Sequence, residues 1–343
     1  DGINSDKIVE IVISWVTSPL IAAVLTFILF TIVKYCALRR QNPKSALLKL
    51  FPLLTGLTMF VNSFFIIYKG TPALGLKDTP LWIGIVSSIG VGIGSSIVSI
   101  LFIPCLKRKM IRENVTTQKT IPQSASLENI NIDINDENRH ERIIELQQHI
   151  STLNKEVQDN KVRQVHSTAV VYDKQAEQTC SYLQIFTACF SAFAHGANDV
   201  ANAIGPFCTI YAVYLTGEVS KKADVPIWIL AIGGVGIVIG LATWGYKIID
   251  RIGKEITKVS PSRGFSIELG AAATVVAASR IGIPVSTTHC QIGSVVGCGL
   301  ANGHKNINWK IMSKIILSWI ITLPITGLIS AAIFSFGYYS PSY

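Results

Sequence analysis

Seven stretches of this 343-residue chain are apolar for long enough to cross a lipid bilayer: residues 8–36, 47–68, 81–105, 183–215, 226–245, 265–302 and 311–336. Spanning about 30 Å of hydrocarbon takes roughly 20 apolar residues as a helix, and 265–302 is long enough for two. A backbone amide inside a bilayer finds no water, so such segments satisfy their own hydrogen bonds as helices. With 49% of residues hydrophobic and 15% charged, the expected fold class is an all-α, polytopic integral membrane protein.

The formal charge of +9 raises nucleic acid as a partner, but the placement of the charge answers otherwise. "ALRRQNPK" follows the first run, "LKRKMIRE" the third and "YKIIDRIGKEITKVSPSR" the fifth, whereas "YKGTPALGLKDTP" and "TGEVSKKADV" carry fewer net positives. Lys and Arg collect on the cytosolic side of membrane proteins. The basic excess is therefore topological, with no nucleic acid implied, and it puts 107–182 in the cytosol and the C-terminus outside.

The chain thus divides into a membrane part at 1–106, a hydrophilic loop at 107–182 and a second membrane part at 183–343. The loop is polar and poor in aromatics, like a disordered linker. Within it, Ile143, Leu146, Ile150, Leu153 and Val157 recur at three- and four-residue steps, which predicts a short amphipathic helix. Asn114-Val115-Thr116 matches a glycosylation acceptor that a cytosolic position would leave unmodified. The seven cysteines are scattered without CxxC spacing and read as buried thiols.

"KIVEIVISWVTSPL" at 7–20 resembles "KIMSKIILSWIITLPI" at 310–325: each has a Lys-Ile start, a Ser-Trp pair (Ser14-Trp15, Ser318-Trp319) and a proline soon after (Pro19, Pro324). The loop charges make the first copy run outside to inside and the second inside to outside. Inverted repeats of this kind mark secondary transporters, whose substrate site sits near the midplane where helices break. The fold expectation sharpens to an inverted-repeat transporter with broken helices or re-entrant hairpins.

Two places read as such breaks. In "AHGANDVANAIGPF" at 194–207, Gly196, Gly205 and Pro206 bracket a polar cluster and let backbone leave the helical ladder. Freed carbonyls with the side-chain oxygens of Asn198, Asp199 and Asn202 suit an alkali cation or hydrogen bonding to an oxyanion. A charged Asp at the bilayer centre costs about 2.5–3.5 kcal/mol on the mildest scale, which favours a function over simple helix glue. In the second place, Gly282 and Pro284 interrupt an apolar run, and Ser286, Thr287, Thr288 and His289 stand where a new helix would start. Hydroxyls and unpaired amides at a helix N-terminus favour phosphate or another anion. Glu268 is a second buried carboxylate candidate.

Other residues carry blander readings. Arg280 snorkels to headgroups, the glycines of "AIGGVGIVIG" serve close helix packing, and His195 and His289 fit a structural hydrogen bond as well as a role in coupling. Two further function classes are open. A hydrolase built on Ser286, His289 and Asp199 lacks a GxSxG elbow or an HExxH helix, so no enzyme is expected. A non-transporting receptor or scaffold would act through the 107–182 loop.

Together, "GANDVANAIGPF", "SPSRGFSIELGAA" and "GIPVSTTHCQIGSVVG" closely resemble the inorganic phosphate transporter family of cation-coupled phosphate symporters. The resemblance implies symport of inorganic phosphate with sodium, or alternatively a proton, by alternating access, in a multi-pass protein of the plasma membrane. Residue by residue it implies Asp199, Asn202, Ser286, Thr287 and Thr288 as phosphate ligands and Asn198, Asp199 and Ser286 as cation ligands, with sodium at Asn198 and Asp199. It makes Glu268 a carboxylate needed for transport. No cofactor is implied beyond the co-transported sodium ion, and a homo-oligomer is compatible with the pattern. The family pattern also has an amino-terminal copy of these motifs ahead of the first Ser-Trp segment, so 1–343 is expected to carry one half-site.

Overall fold

The computed structural model describes residues 5–69, 80–117, 167, 169–218, 225–281 and 285–340, and among them every regular element is helical. Helix α1 covers Ser5–Val33 and widens into a π-turn at Lys34–Leu38. Then come α2 (Pro43–Lys69), α3 (Leu81–Thr117) and α4 (Lys174–Thr216). Helix α5 (Ile227–Gly240) passes through a π-turn at Leu241–Gly245 into α6 (Tyr246–Glu255). Helices α7 (Pro261–Ile281), α8 (Thr287–Asn302) and α9 (Trp309–Tyr339) complete the order. Five helical stretches are long and apolar enough to cross a membrane, at Val9–Leu38, Pro43–Phe64, Leu81–Arg108, Ile227–Glu255 and Trp309–Tyr339. The all-α, polytopic expectation holds. Helices α3 and α4 reach into 107–182 from both sides; the helix expected around 143–157 and the Arg280 side chain lie outside the described residues.

Local sequence sets the helix ends. Pro43 and Pro261 open α2 and α7, where a missing amide costs nothing. Asp173 caps α4 by accepting from the Ala176 amide at 2.8 Å, and Asn308 caps α9 by accepting from Ile311 at 3.4 Å. Gly217, at φ 71°, closes α4 in the left-handed conformation that glycine adopts without strain.

The expected break at 194–207 does not occur: α4 runs unbroken from Lys174 to Thr216 through Gly196, Gly205 and Pro206. A glycine costs a helix about 1 kcal/mol and an interior proline about 3 kcal/mol, since Pro206 lacks the amide that would reach the Asn202 carbonyl and its ring crowds that carbonyl. Packing against neighbouring helices outweighs both. The polar residues therefore form a stripe on a continuous helix, with His195, Asp199 and Asn202 at i, i+4 and i+7.

The second expected interruption is real: α7 ends at Ile281, and Ser286 is extended ahead of α8. Helix α1 packs along α8 in parallel and in fixed register: Trp15 meets the His289 ring, Gly293 lies against Pro19 and Gly297 against Ala23. A Cβ added to Gly293 would collide with the Pro19 carbonyl oxygen, and one on Gly297 with that of Ala23. Against α7 the same helix runs antiparallel, with Thr26 beside Gly270 and Ala22 packed with Ala271 and Val275. Helices α7 and α8 thus form a hairpin whose ends both lie at the Lys34 end of the bundle. At 16 residues, α8 is about 24 Å long, short of the hydrocarbon thickness.

A polar knot closes the Lys34 end. The Glu177 carboxylate of α4 accepts from Ser260 Oγ (2.9 Å), Ser262 N (2.9 Å) and Ser262 Oγ (2.7 Å), capping α7 with a negative charge where its dipole is positive. Arg263 donates to the carbonyls of Lys258 (3.1 Å) and Val170 (2.6 Å), and Tyr172 donates to Asn302 Oδ1 at 3.0 Å. Burial pushes the Tyr172 phenol above its usual range. Lys34 Nζ donates to the Ala301 carbonyl in the last turn of α8 at 2.6 Å. Truncating Glu177 to alanine leaves the Ser262 amide and two hydroxyls without their acceptor, so we expect a loss of about 2 kcal/mol or more. A lowered thermal midpoint in detergent, partly restored by Glu177→Gln, would show it.

Two packing expectations need correction. Of the "AIGGVGIVIG" glycines, Gly233 lies against Ile204 of α4, but Gly234, Gly236 and Gly240 have open space beside them. Cys180, Cys208, Cys290 and Cys298 are buried thiols, whereas Cys36, Cys105 and Cys189 are exposed, an apolar sulfur being as compatible with lipid as with protein.

Candidate functional site

Helix α8 begins at the hairpin tip, and its first residues meet the polar stripe of α4. Ser286 is the N-cap, in extended conformation, accepting the His289 amide at 3.3 Å. Thr287 Oγ1 lies 3.0 Å from Asp199 Oδ1 and 3.2 Å from Oδ2, donating to the carboxylate. The amides of Thr287 and Thr288 belong to the first turn, where a helix has no acceptor of its own for them.

These groups surround a cavity of about 390 Å³, lined by Asp199 and Asn202 from α4, Val285, Ser286, Thr287 and Thr288 at the tip, and Ile11, Ser14 and Trp15 from α1. At about 30 Å³ per water it has room for roughly a dozen, enough for a tetrahedral oxyanion with a cation beside it. Two kinds of group face each other across it. The helix start offers hydroxyls and amides that favour negative charge, while the Asp199 carboxylate favours a cation.

Five of the expected residues, Asp199, Asn202, Ser286, Thr287 and Thr288, therefore come together. Asn198 and Glu268 do not line the cavity. Asn198 is buried on the next face of α4, and its Nδ2 has no hydrogen-bond acceptor among the described residues. Glu268 lies between the limbs of the hairpin, where its Oε1 accepts from Gln291 Nε2 at 3.1 Å and ties α7 to α8.

Sequence reasoning missed Ser14 and Trp15 as lining residues, although the repeat had singled them out. Both repeat tryptophans converge on the tip. The His289 ring stacks on Trp319 at 3.9 Å between centroids and meets Trp15 edge-on at 6.4 Å. Thr288 also lines a second cavity of about 340 Å³ together with Ser318 and Trp319. Each copy of the Ser-Trp pair thus flanks one side of the α8 N-terminus, which gives the internal repeat a structural meaning.

Comparison with known proteins agrees in kind. The pattern of the Phosphate transporter family matches residues 1–330. Over 152 residues, 44% of this chain, the sequence is 56% identical to sodium-dependent phosphate transporter 1 of Xenopus tropicalis and 55% identical to that of Homo sapiens. The match spans 22% of each relative's length, so the chain covers about a fifth of the curated relatives it resembles. A solved structure of a sodium-dependent phosphate transporter superposes with a TM-score of 0.71 at 27% identity, over 99% of this chain and 69% of that one.

Proposed function

Because the chain belongs to the phosphate transporter family, we propose that it carries inorganic phosphate across a membrane in symport with sodium, by alternating access. The observation that supports this most is the pairing of Thr287, at a helix start built for anions, with Asp199, a carboxylate built for cations. Ser286, Thr287 and Thr288 hold phosphate oxygens together with the first-turn amides of α8. Asn202 donates its side-chain amide from the facing helix. Asp199 holds sodium, with Ser286 and the Asn202 carbonyl as neutral oxygens and Asn198 supporting from behind. Glu268 fixes the hairpin limbs so that the tip keeps its geometry.

The charges explain why a cation has to travel with the anion. Phosphate entering a negative-inside cell climbs about 2.3 kcal/mol per charge per 100 mV. The Asp199 carboxylate adds local repulsion that sodium bound beside it relieves. Uptake of radiolabelled phosphate into vesicles carrying residues 1–343 together with the amino-terminal motif copy of the family pattern should follow an imposed sodium gradient and collapse when choline replaces sodium, whereas 1–343 alone, with one half-site, should give no coupled uptake. Equal uptake under both conditions would rule out sodium coupling.

In the same reading the Lys34 end of the bundle, with the 107–182 segment, faces the cytosol, the C-terminus is extracellular and the membrane is the plasma membrane. A cysteine introduced at Ser124 should then be protected from an impermeant thiol reagent in intact cells and react after permeabilisation. Labelling from outside would reverse the orientation.

A further inference from the structure

A larger cavity, of about 800 Å³, lies at the Lys34 end, where the π-turn that ends α1 passes into α2. Its polar lining is Arg39, Arg40, Gln41, Asn42, Ser45 and Lys49: three cations and four neutral groups counting Cys36, with no carboxylate among them. The turn that presents the two arginines is fixed by backbone bonds from Arg39 N to the Lys34 carbonyl (2.9 Å) and from Arg40 N to that of Ala37 (3.2 Å). The Arg39 guanidinium lies 5.2 Å from the centre of the Tyr35 ring.

The apolar surface above this cationic floor separates it from an ordinary solvated loop. Ile28 and Ile32, four apart, share one face of α1, and Tyr35 follows in the π-turn with the Arg39 guanidinium beside its ring. The first three are about half exposed, at 48%, 47% and 55%. On α2, Leu53 is 65% exposed one turn above Lys49. Apolar side chains facing the bilayer thus descend to a ring of positive charge, with a tyrosine at the junction, where an amphipathic ring settles in a membrane.

We propose that this pocket seats the phosphate headgroup of an anionic phospholipid, whose acyl chains lie along the Ile28–Ile32 face of α1. Arg39 and Arg40 supply planar donor forks that match phosphate oxygens, and Lys49 supplies a point charge from α2. Gln41, Asn42 and Ser45 provide donors and acceptors for the glycerol or headgroup hydroxyls. The site is distinct from the cavity at the hairpin tip. It shares no residue with it, and it contains no carboxylate to hold a cation, so its chemistry is that of an anchor for a fixed anion.

Native mass spectrometry of the full chain, delipidated in detergent and titrated with phosphatidylserine or phosphatidylcholine, tests this without reference to transport. The wild type should retain phosphatidylserine at least about tenfold more tightly than phosphatidylcholine. Replacing Arg39, Arg40 and Lys49 together with glutamine should weaken phosphatidylserine binding about a hundredfold, at about 1 kcal/mol per basic residue. The single Arg40→Gln variant should lose about fivefold and carries the test if the triple variant is unstable. Phosphatidylserine binding unchanged in these variants would overturn the proposal. So would displacement of the lipid by millimolar inorganic phosphate, which would assign the pocket to free phosphate, or conversion of a dimer to a monomer in the triple variant, which would assign it to a second copy of the chain.

Discussion

Asp199→Asn is expected to cut sodium-driven phosphate uptake by at least a hundredfold while leaving the protein folded and in the membrane. Asparagine keeps the size of the side chain and one acceptor oxygen, so the Thr287 hydroxyl, now 3.0 Å and 3.2 Å from the two carboxylate oxygens, keeps a partner. What disappears is the charge. Hydrogen bonds and contacts to a charged group are worth about 1.5–3 kcal/mol each, and a sodium ion losing its carboxylate loses the strongest of them together with the field that makes the pair of ligands electrically tolerable. Two such losses amount to about 3 kcal/mol or more, and tenfold in affinity is about 1.4 kcal/mol. The sodium activation curve should move to higher concentration, with surface abundance unchanged. An activation curve identical to the wild type would leave Asp199 as no more than a hydrogen-bond partner for the hairpin tip.

Gly297→Val is expected to remove the folded protein altogether. A Cβ at this position meets the Ala23 carbonyl oxygen, and one at Gly293 meets that of Pro19. These obstacles are backbone, so no rotamer change relieves them, and α1 and α8 would have to separate along their shared length. Overpacking by a methylene or two costs about 1–3 kcal/mol where side chains can yield. Here they cannot, and small residues are what allow helices to approach inside a membrane at all. Fluorescence-detected size-exclusion chromatography should show loss of the monodisperse peak for Gly297→Val and a smaller effect for Gly293→Ala. Gly236→Ala, with open space beside the residue, serves as the control and should leave the profile unchanged. A normal peak for Gly297→Val would mean that the close approach of α1 to α8 is not what holds the hairpin.

The elements legible from sequence were those written in runs. Apolar length gave five helices long and apolar enough to cross a membrane, while the expected runs at 183–215 and 265–302 are not among them. Gly282 with Pro284 inside an apolar run marked the boundary between two helices, because a proline ahead of a Ser-Thr start leaves the chain few alternatives to ending one helix and capping the next. The same two residue types misled around Asp199. Gly196, Gly205 and Pro206 each weaken a helix locally, but local preference is worth about 1 kcal/mol for a glycine, and the packing of α4 against α7 and α5 decides the matter. The i, i+4, i+7 spacing of His195, Asp199 and Asn202 carried the correct answer, a polar face on an intact helix. Ser14 and Trp15 could not be placed at the cavity from their own segment, since only the tertiary register of α1 against α8 brings them there. Gly293 and Gly297 show the reverse case: their four-residue spacing was visible, but which helix they accommodate was not.

The unbroken course of α4 has a mechanical consequence. One rigid rod holds the start of α7 through Glu177 and the start of α8 through Asp199. The two residues are separated by 22 positions, about 33 Å along a helix axis. The hairpin is bracketed at its base and its tip by the same bar, so sliding it lengthwise against α4 breaks a charged hydrogen bond at one end or the other. Tilting the bar, by contrast, carries base and tip together.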